Sequence, residues 1–225
     1  MCGRFAFFSP AEAITAAFGP VSGFEYTPRY NIAPSQDVLA LVDDAAGGLR
    51  AERYRWGLVP FWAKDPAIGQ RMINARAETI AEKPSYRQSF RRRRCLIMAD
   101  GFYEWHDAGK GKQPYFICRE DERPFGLAAI WDEWRSADAL AGEPALRSCS
   151  IITVPANPFM SDLHHRMPVL MSAGDLTDWF NRDGGNDELL GMLLRPQEVA
   201  LQAWPVDRRV NNPVNDAADL IAPAD

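Results

Sequence analysis

The chain has no C-x-x-C pair, no apolar run long enough to cross a bilayer, no internal repeat and no excess of positive charge. Its four cysteines, Cys2, Cys95, Cys118 and Cys149, lie far apart and away from any clustered histidine. That spacing excludes a structural zinc site, and at 225 residues a disulfide framework is not needed to hold a core. Three of the four stand in the apolar runs RCLIMAD, YFICRE and RSCSIITV, where cysteine serves as a small buried hydrophobe. The N-terminus has no basic segment followed by an apolar one and a cleavage site, so a cytoplasmic, membrane-free protein is expected. A net charge of −5 argues against a protein that coats nucleic acid generally, but leaves room for a local basic groove. What is present, 47% apolar and 24% charged residues, is the composition of a folded globular protein.

The residue pattern predicts many strands and few, short helices. AEAITAAFG has helical spacing, with Ser9 as N-cap, Pro10 at the first position and a glycine stop. QDVLALVDD and LRAERYRWGLVP read as strands around a turn at Gly47 and Gly48. NARAETIAEKPSYRQSFRRRR reads as largely helical, interrupted by Pro84. CLIMAD, GFYEWHD, QPYFICRE, PFGLAAIWDEW, LRSCSIITVPAN, MPVLM and LQAWPVD read as strands. NPFMSDLHH, AGDLTDWFNR and DELLGMLLR read as helices. Without regular βαβ alternation, this predicts an α+β fold on a curved, mainly antiparallel sheet. One domain over residues 2–225 is expected, with the irregular tail after about 210 peripheral.

Five groups of residues could carry chemistry. If Met1 is removed, Cys2 presents an α-amine and a thiol on neighbouring carbons. The amine's lower pKa makes its neutral fraction at pH 7 larger than a lysine's by roughly a few hundred-fold, so it can attack an aldehyde to give an imine. The thiol could then close a five-membered ring onto that imine. Taken alone, a small second residue commonly has no chemical meaning. In GFYEWH, Glu104 stands among Phe102, Tyr103 and Trp105, a setting that raises a carboxyl pKa and suits a proton shuttle; strand alternation explains the same pattern. DLHHRMPVLM offers adjacent histidines, one to each side of an extended segment. MINARAET offers the Asn74 amide, the Arg76 guanidinium, and Glu78 as a structural partner. Arg87 and Arg91 to Arg94, with Arg4, Arg29, Arg71 and Arg76, are mixed with Trp56, Phe61 and Trp62. They fit either a solvated face or a single-strand groove with stacking aromatics.

Together, MCGRF, RYNIAPSQ, WGLVPFWAKD, INARAET, RRCLIMADGFYEW and TVPANPFMSDLHHRMPVLM resemble the SRAP family, the abasic-site-processing proteins first called SOS-response-associated peptidases. The resemblance runs in order over roughly residues 2 to 210. It implies a single α+β domain with a barrel-like antiparallel core and short peripheral helices. It also implies an activity on abasic sites in single-stranded DNA: loss of Met1, then a covalent thiazolidine link from Cys2 to the ring-opened sugar, with AP-lyase activity in some members. Asn74 would hold the sugar, Glu104 would move protons, and His164 would assist Schiff-base chemistry, with His165 in the family's variable place. Arg76 and Arg166 match phosphate-binding arginines, and Arg4 adjoins the nucleophile. The block around Pro60 and Trp62 looks like the part that separates or kinks DNA. No metal or cofactor is implied. A monomer is expected, nucleoid-associated when bound to DNA.

Two other classes compete. N-terminal-nucleophile cysteine amidotransferases also begin Met-Cys-Gly, but their glutamine-pocket motifs are not found here. A non-covalent single-stranded-DNA module would bind reversibly and be indifferent to Cys2→Ala. The older peptidase idea reduces to removal of the protein's own Met1.

Overall fold

Strands that are apolar on both faces must be covered on both, and four such strands build the centre of this molecule. The structure, a computed structural model, describes residues 2–44, 48–107, 109, 111–140 and 142–224. Along the chain these form β1 (Phe5–Phe7), α1 (Ala11–Phe18), β2 (Val21–Ser22), β3 (Arg29–Ile32), β4 (Asp37–Asp43) and β5 (Leu49–Trp56). β6 (Asn74–Arg76), α2 (Ala77–Ile80), α3 (Arg87–Arg92), β7 (Arg94–Ala99), β8 (Gly101–Asp107) and β9 (Lys112–Arg119) follow. Then come β10 (Phe125–Trp134), β11 (Leu146–Pro155), α4 (Pro158–Ser161), β12 (Arg166–Pro168), β13 (Leu170–Met171), α5 (Leu176–Phe180), α6 (Asn186–Leu194) and β14 (Leu201–Pro205).

β5, β4, β7, β10 and β11 pair in that order, each antiparallel to the next. β5 then returns to β11 in a parallel pairing, Arg55 opposite Ser148 and Trp56 opposite Cys149, which closes a five-stranded barrel. A second, antiparallel sheet runs β14-β9-β8-β1-β3. Phe5, Phe7 and Phe102 from this sheet share one buried core with the barrel. The expected α+β class with a barrel-like core and short helices is therefore what the chain adopts, and the Cys95 and Cys149 side chains are wholly buried in it.

Two local expectations change, and a third is met in part. Ser9 does not cap α1; its hydroxyl bonds the carboxylate of Asp100, and Pro10 occupies the N-cap position. Asn74–Arg76 is strand rather than helix, because β11 offers it backbone partners that its local propensity cannot outweigh. Gly48 sits at the β4–β5 turn, whereas Gly47 lies outside the described residues.

The tail after residue 210 is irregular, as expected, and the segment leading into it is tied to the second sheet. Val206 and Val210 are fully buried and pack with Ala6, Tyr103 and Phe116 on the outer face of the second sheet. The buried Asn31 amide donates to the carbonyls of Val210, Asn212 and Asn215, at 3.2, 3.1 and 2.6 Å. Asp216 accepts from the backbone of Tyr30 and Asn31. A sheet with apolar side chains on both faces needs a second cover, and Val206 and Val210, with Ile221 packed against them, supply it.

Candidate active site

β11 is the spine of the site. On one edge of its second half lies β6, parallel, with Asn74 opposite Ile151 and Arg76 opposite Thr153. On the other edge lies β12, with Arg166 opposite Pro155 and Pro168 opposite Thr153. Residues 74–76 and 164–166, distant in sequence, are thereby one strand apart. The start of the chain arrives by a different ladder: Phe5 pairs with Phe102, and the Tyr103 N–H donates to the Arg4 carbonyl at 2.9 Å. Two residues further along that antiparallel register, the chain's beginning meets Glu104.

Cys2 is wholly buried, and its carbonyl accepts a 2.8 Å hydrogen bond from Asn74 Nδ2. Among the described residues, Asn74 Oδ1 is buried without a partner, so the amide has an acceptor left over for a ligand. Tyr86 secures this segment by donating its hydroxyl to the Asn74 carbonyl at 3.3 Å. Burial, and after it the negative charge of Glu104, push the Cys2 thiol far above its ordinary value. Glu104 is 3% exposed, and burial raises its carboxyl above the usual range. It can therefore hold or release a proton closer to neutrality than a surface glutamate.

The two histidines stack, with ring centroids 4.3 Å apart. His164 is half-buried and His165 exposed. His164 Nδ1 accepts the Arg166 backbone N–H at 3.0 Å, and burial lowers its pKa, so it is a neutral imidazole near pH 7. His164 is thus the more enclosed of the two rings. Glu104 feels the charge of His165, and His164 that of Lys112 at the start of β9.

The basic and aromatic candidates divide sharply. Arg76 is exposed at the pocket edge. Arg4 is half-buried, with Nη1 donating to Asn31 Oδ1 at 2.6 Å and to the Val210 carbonyl at 2.7 Å, and its guanidinium over the Trp105 ring. Arg4 is first a pin for the tail. Arg166 is buried and forked onto Glu78. Pro60 is buried, and the loop it stands in presents Phe61 and Trp62, 51% and 48% exposed. Trp56 is wholly buried and bonded to the Ile73 carbonyl.

That loop is a deliberate excursion. β5 leaves β11 at Trp56 and β6 rejoins it at Asn74, so residues 57–73 bulge outward between two pairings on the same strand edge. Its neck is a glycine–glycine contact, where a Cβ on Gly57 would lie 2.6 Å from the Gly69 carbonyl oxygen. Ser148 Oγ holds the Val59 N–H at 2.7 Å, buried Asp132 holds the Phe61 N–H at 3.0 Å, and the Ala63 carbonyl accepts from Trp134 Nε1 at 2.6 Å. Two large apolar side chains are thus held exposed on a rigid mount. Sequence reasoning missed Tyr86, Thr153 and Lys112 because each acts through strands that only the fold brings together.

The family model for SOS response associated peptidase (SRAP) matches residues 1–213. The chain belongs to the SRAP family. This SRAP protein is 40% identical to the abasic site processing protein YoqW of Bacillus subtilis over 98% of its own length and 99% of that protein's. It is 32% identical to the abasic site processing protein YedK of Escherichia coli over 99% of this chain and all of that one. With the abasic site processing protein HMCES of Gallus gallus it shares 34% identity over 88% of its length and 67% of the relative's. A crystal structure of a protein from Bacteroides thetaiotaomicron superposes with a TM-score of 0.84 over 99% of this chain and all of that one, at 24% identity, a likeness of fold.

Proposed function

We propose that this SRAP protein processes abasic sites in single-stranded DNA through a covalent link formed by Cys2. The observation that carries this reading is the seating of Cys2. A residue next to the chain start is wholly buried, its carbonyl held by Asn74, with the raised carboxyl of Glu104 alongside. Removal of Met1 comes first, by hydrolysis of the Met1–Cys2 peptide bond, since until then the nitrogen is an amide. The freed amine adds to the C1′ aldehyde of the ring-opened sugar, and the carbinolamine loses water to give the imine. Protonated Glu104 supplies the proton that the leaving hydroxyl needs. The thiol then adds across the C=N bond, sulfur to carbon and its proton to nitrogen, giving a thiazolidine with no further loss of atoms.

The high thiol pKa fits this order, amine before sulfur, and disfavours an amidotransferase that needs a ready thiolate. The unpaired Asn74 Oδ1 is an acceptor for the new ring N–H or a sugar hydroxyl. Neutral His164, whose Nδ1 is taken by the Arg166 N–H, assists the Schiff-base chemistry as a hydrogen-bond donor from Nε2 to the sugar. Arg76 holds a phosphate, and Phe61 and Trp62 stack on or part the bases beside the lesion.

The test is a denaturing gel after incubation with single-stranded DNA carrying one abasic site. A covalent band is expected with the wild type, and none with Cys2→Ala or with one residue inserted before Cys2. A wild-type lane without adduct overturns the function; an adduct that survives Cys2→Ala overturns the role of Cys2.

A further inference from the structure

The fork between Arg166 and Glu78 occupies a guanidinium that the family resemblance assigns to phosphate. A guanidinium carries five N–H groups. Here Nη1 donates to Glu78 Oε1 at 2.7 Å, Nη2 to Glu78 Oε2 at 2.9 Å and to the Thr153 carbonyl at 2.6 Å, and Nε to Thr153 Oγ1 at 3.2 Å. Among the described residues, one N–H on Nη1 is left, on a side chain only 7% exposed. Arg166 is thus anchored before any DNA arrives, and the consequence runs through its backbone. Its N–H can only donate, and it donates to His164 Nδ1. Nδ1 lies 3.0 Å from that nitrogen and 3.2 Å from the Arg166 carbonyl oxygen, and the shorter contact selects the neutral ring with its proton on Nε2.

We propose that Glu78, acting through Arg166, is a positioning residue for His164. Glu78 is in α2, immediately after the strand that bears Asn74, while Arg166 starts the three-residue edge strand that follows His164. Their bidentate pair, with Thr153 between them on β11, ties the two halves of the pocket together across one strand. Arg166 in turn holds the Glu78 carboxyl below its usual range. Without the carboxylate, a buried guanidinium keeps only Thr153 and swings toward water, and the backbone N–H that fixes the imidazole moves with it. Glu78 touches no reacting atom.

The experiment compares wild type, Glu78→Asp, Glu78→Gln and Glu78→Ala in the full chain labelled with 15N-histidine. Long-range 1H–15N correlation of the imidazoles reads the tautomer, with His106 as internal control. Wild type and Glu78→Asp are expected to hold His164 in the Nε2–H form, and Glu78→Gln and Glu78→Ala to give a tautomer mixture at His164 alone. On abasic single-stranded DNA, borohydride trapping under single-turnover conditions is expected to slow by ~10-fold or more in Glu78→Gln and recover in Glu78→Asp, with affinity for intact single-stranded DNA within about twofold of wild type. An unchanged His164 tautomer in Glu78→Gln overturns the inference, as does a slowing matched by an equal loss of DNA affinity. The kinetic arm rests on the function proposed above. If the wild type itself traps no imine, that function fails, while the tautomer readout still decides the role of Glu78.

Discussion

Glu104 shows how one residue trades stability for chemistry. Burial raises its folded-state pKa above the unfolded value, so as pH rises the unfolded chain ionises first. The stability attached to this group is therefore fully present below about pH 4.3 and is lost as pH climbs through the folded pKa. Replacing the carboxyl by an amide removes that loss. Glu104→Gln is expected to melt with the wild type near pH 4 and above it at pH 7 to 8, by about 2–4 °C for each kcal/mol relieved, while abolishing adduct formation. Thermal melts across this range check it; a Glu104→Gln protein that melts below wild type at pH 8 would mean the ionised carboxylate is fully compensated.

At the scale of elements, the loop over residues 57–73 separates mounting from contact. Its backbone is fixed by Ser148, Asp132 and Trp134, whereas the Phe61 and Trp62 side chains face solvent. Exposed side chains away from such fixings contribute within about 0.5 kcal/mol to stability, while base–aromatic stacking is worth about 1–3 kcal/mol per base. Phe61→Ala and Trp62→Ala are therefore expected to leave the melting temperature unchanged and to weaken single-stranded DNA binding by roughly 5- to 150-fold each. Fluorescence anisotropy with a labelled oligonucleotide reads the loss. The arginine run divides in the same way: Arg91 and Arg92 are exposed, while Arg94 is buried, with bonds to the carbonyls of Phe90, Arg91, Trp179 and Asn181. Four identical letters hold two different jobs, because β7 turns inward where α3 ends.

Across the whole molecule, the buried Asn31 joins the beginning and the end of the chain. It accepts from Arg4 and donates to three carbonyls of the tail. Asn31→Ala would strand those carbonyls and the Arg4 guanidinium in a dry setting, where each lost partner costs about 1–3 kcal/mol. The expected result is a fall in melting temperature of about 6–12 °C, from roughly 3 kcal/mol at 2–4 °C each. Because Arg4 lies two residues from Cys2, adduct formation should slow as well; equal melting temperatures would show that the tail is held by its apolar contacts alone.

Much of the fold was legible in the sequence because it is local. The strands CLIMAD, GFYEWHD and LRSCSIITVPAN are written as apolar runs and turn residues, and each forms where that chemistry puts it. The reactive inventory was legible too, since Cys2, Asn74, Glu104 and the histidine pair are distinctive in type and spacing. Tertiary structure alone decided the rest. Burial enclosed His164 more than His165, hid Pro60 and exposed Phe61, and packed Val206 and Val210 over the second sheet. It also bound Arg166 to Glu78, 88 residues away. Burial and pairing across β11 are properties of strands that meet in space, and no window of neighbouring residues contains them.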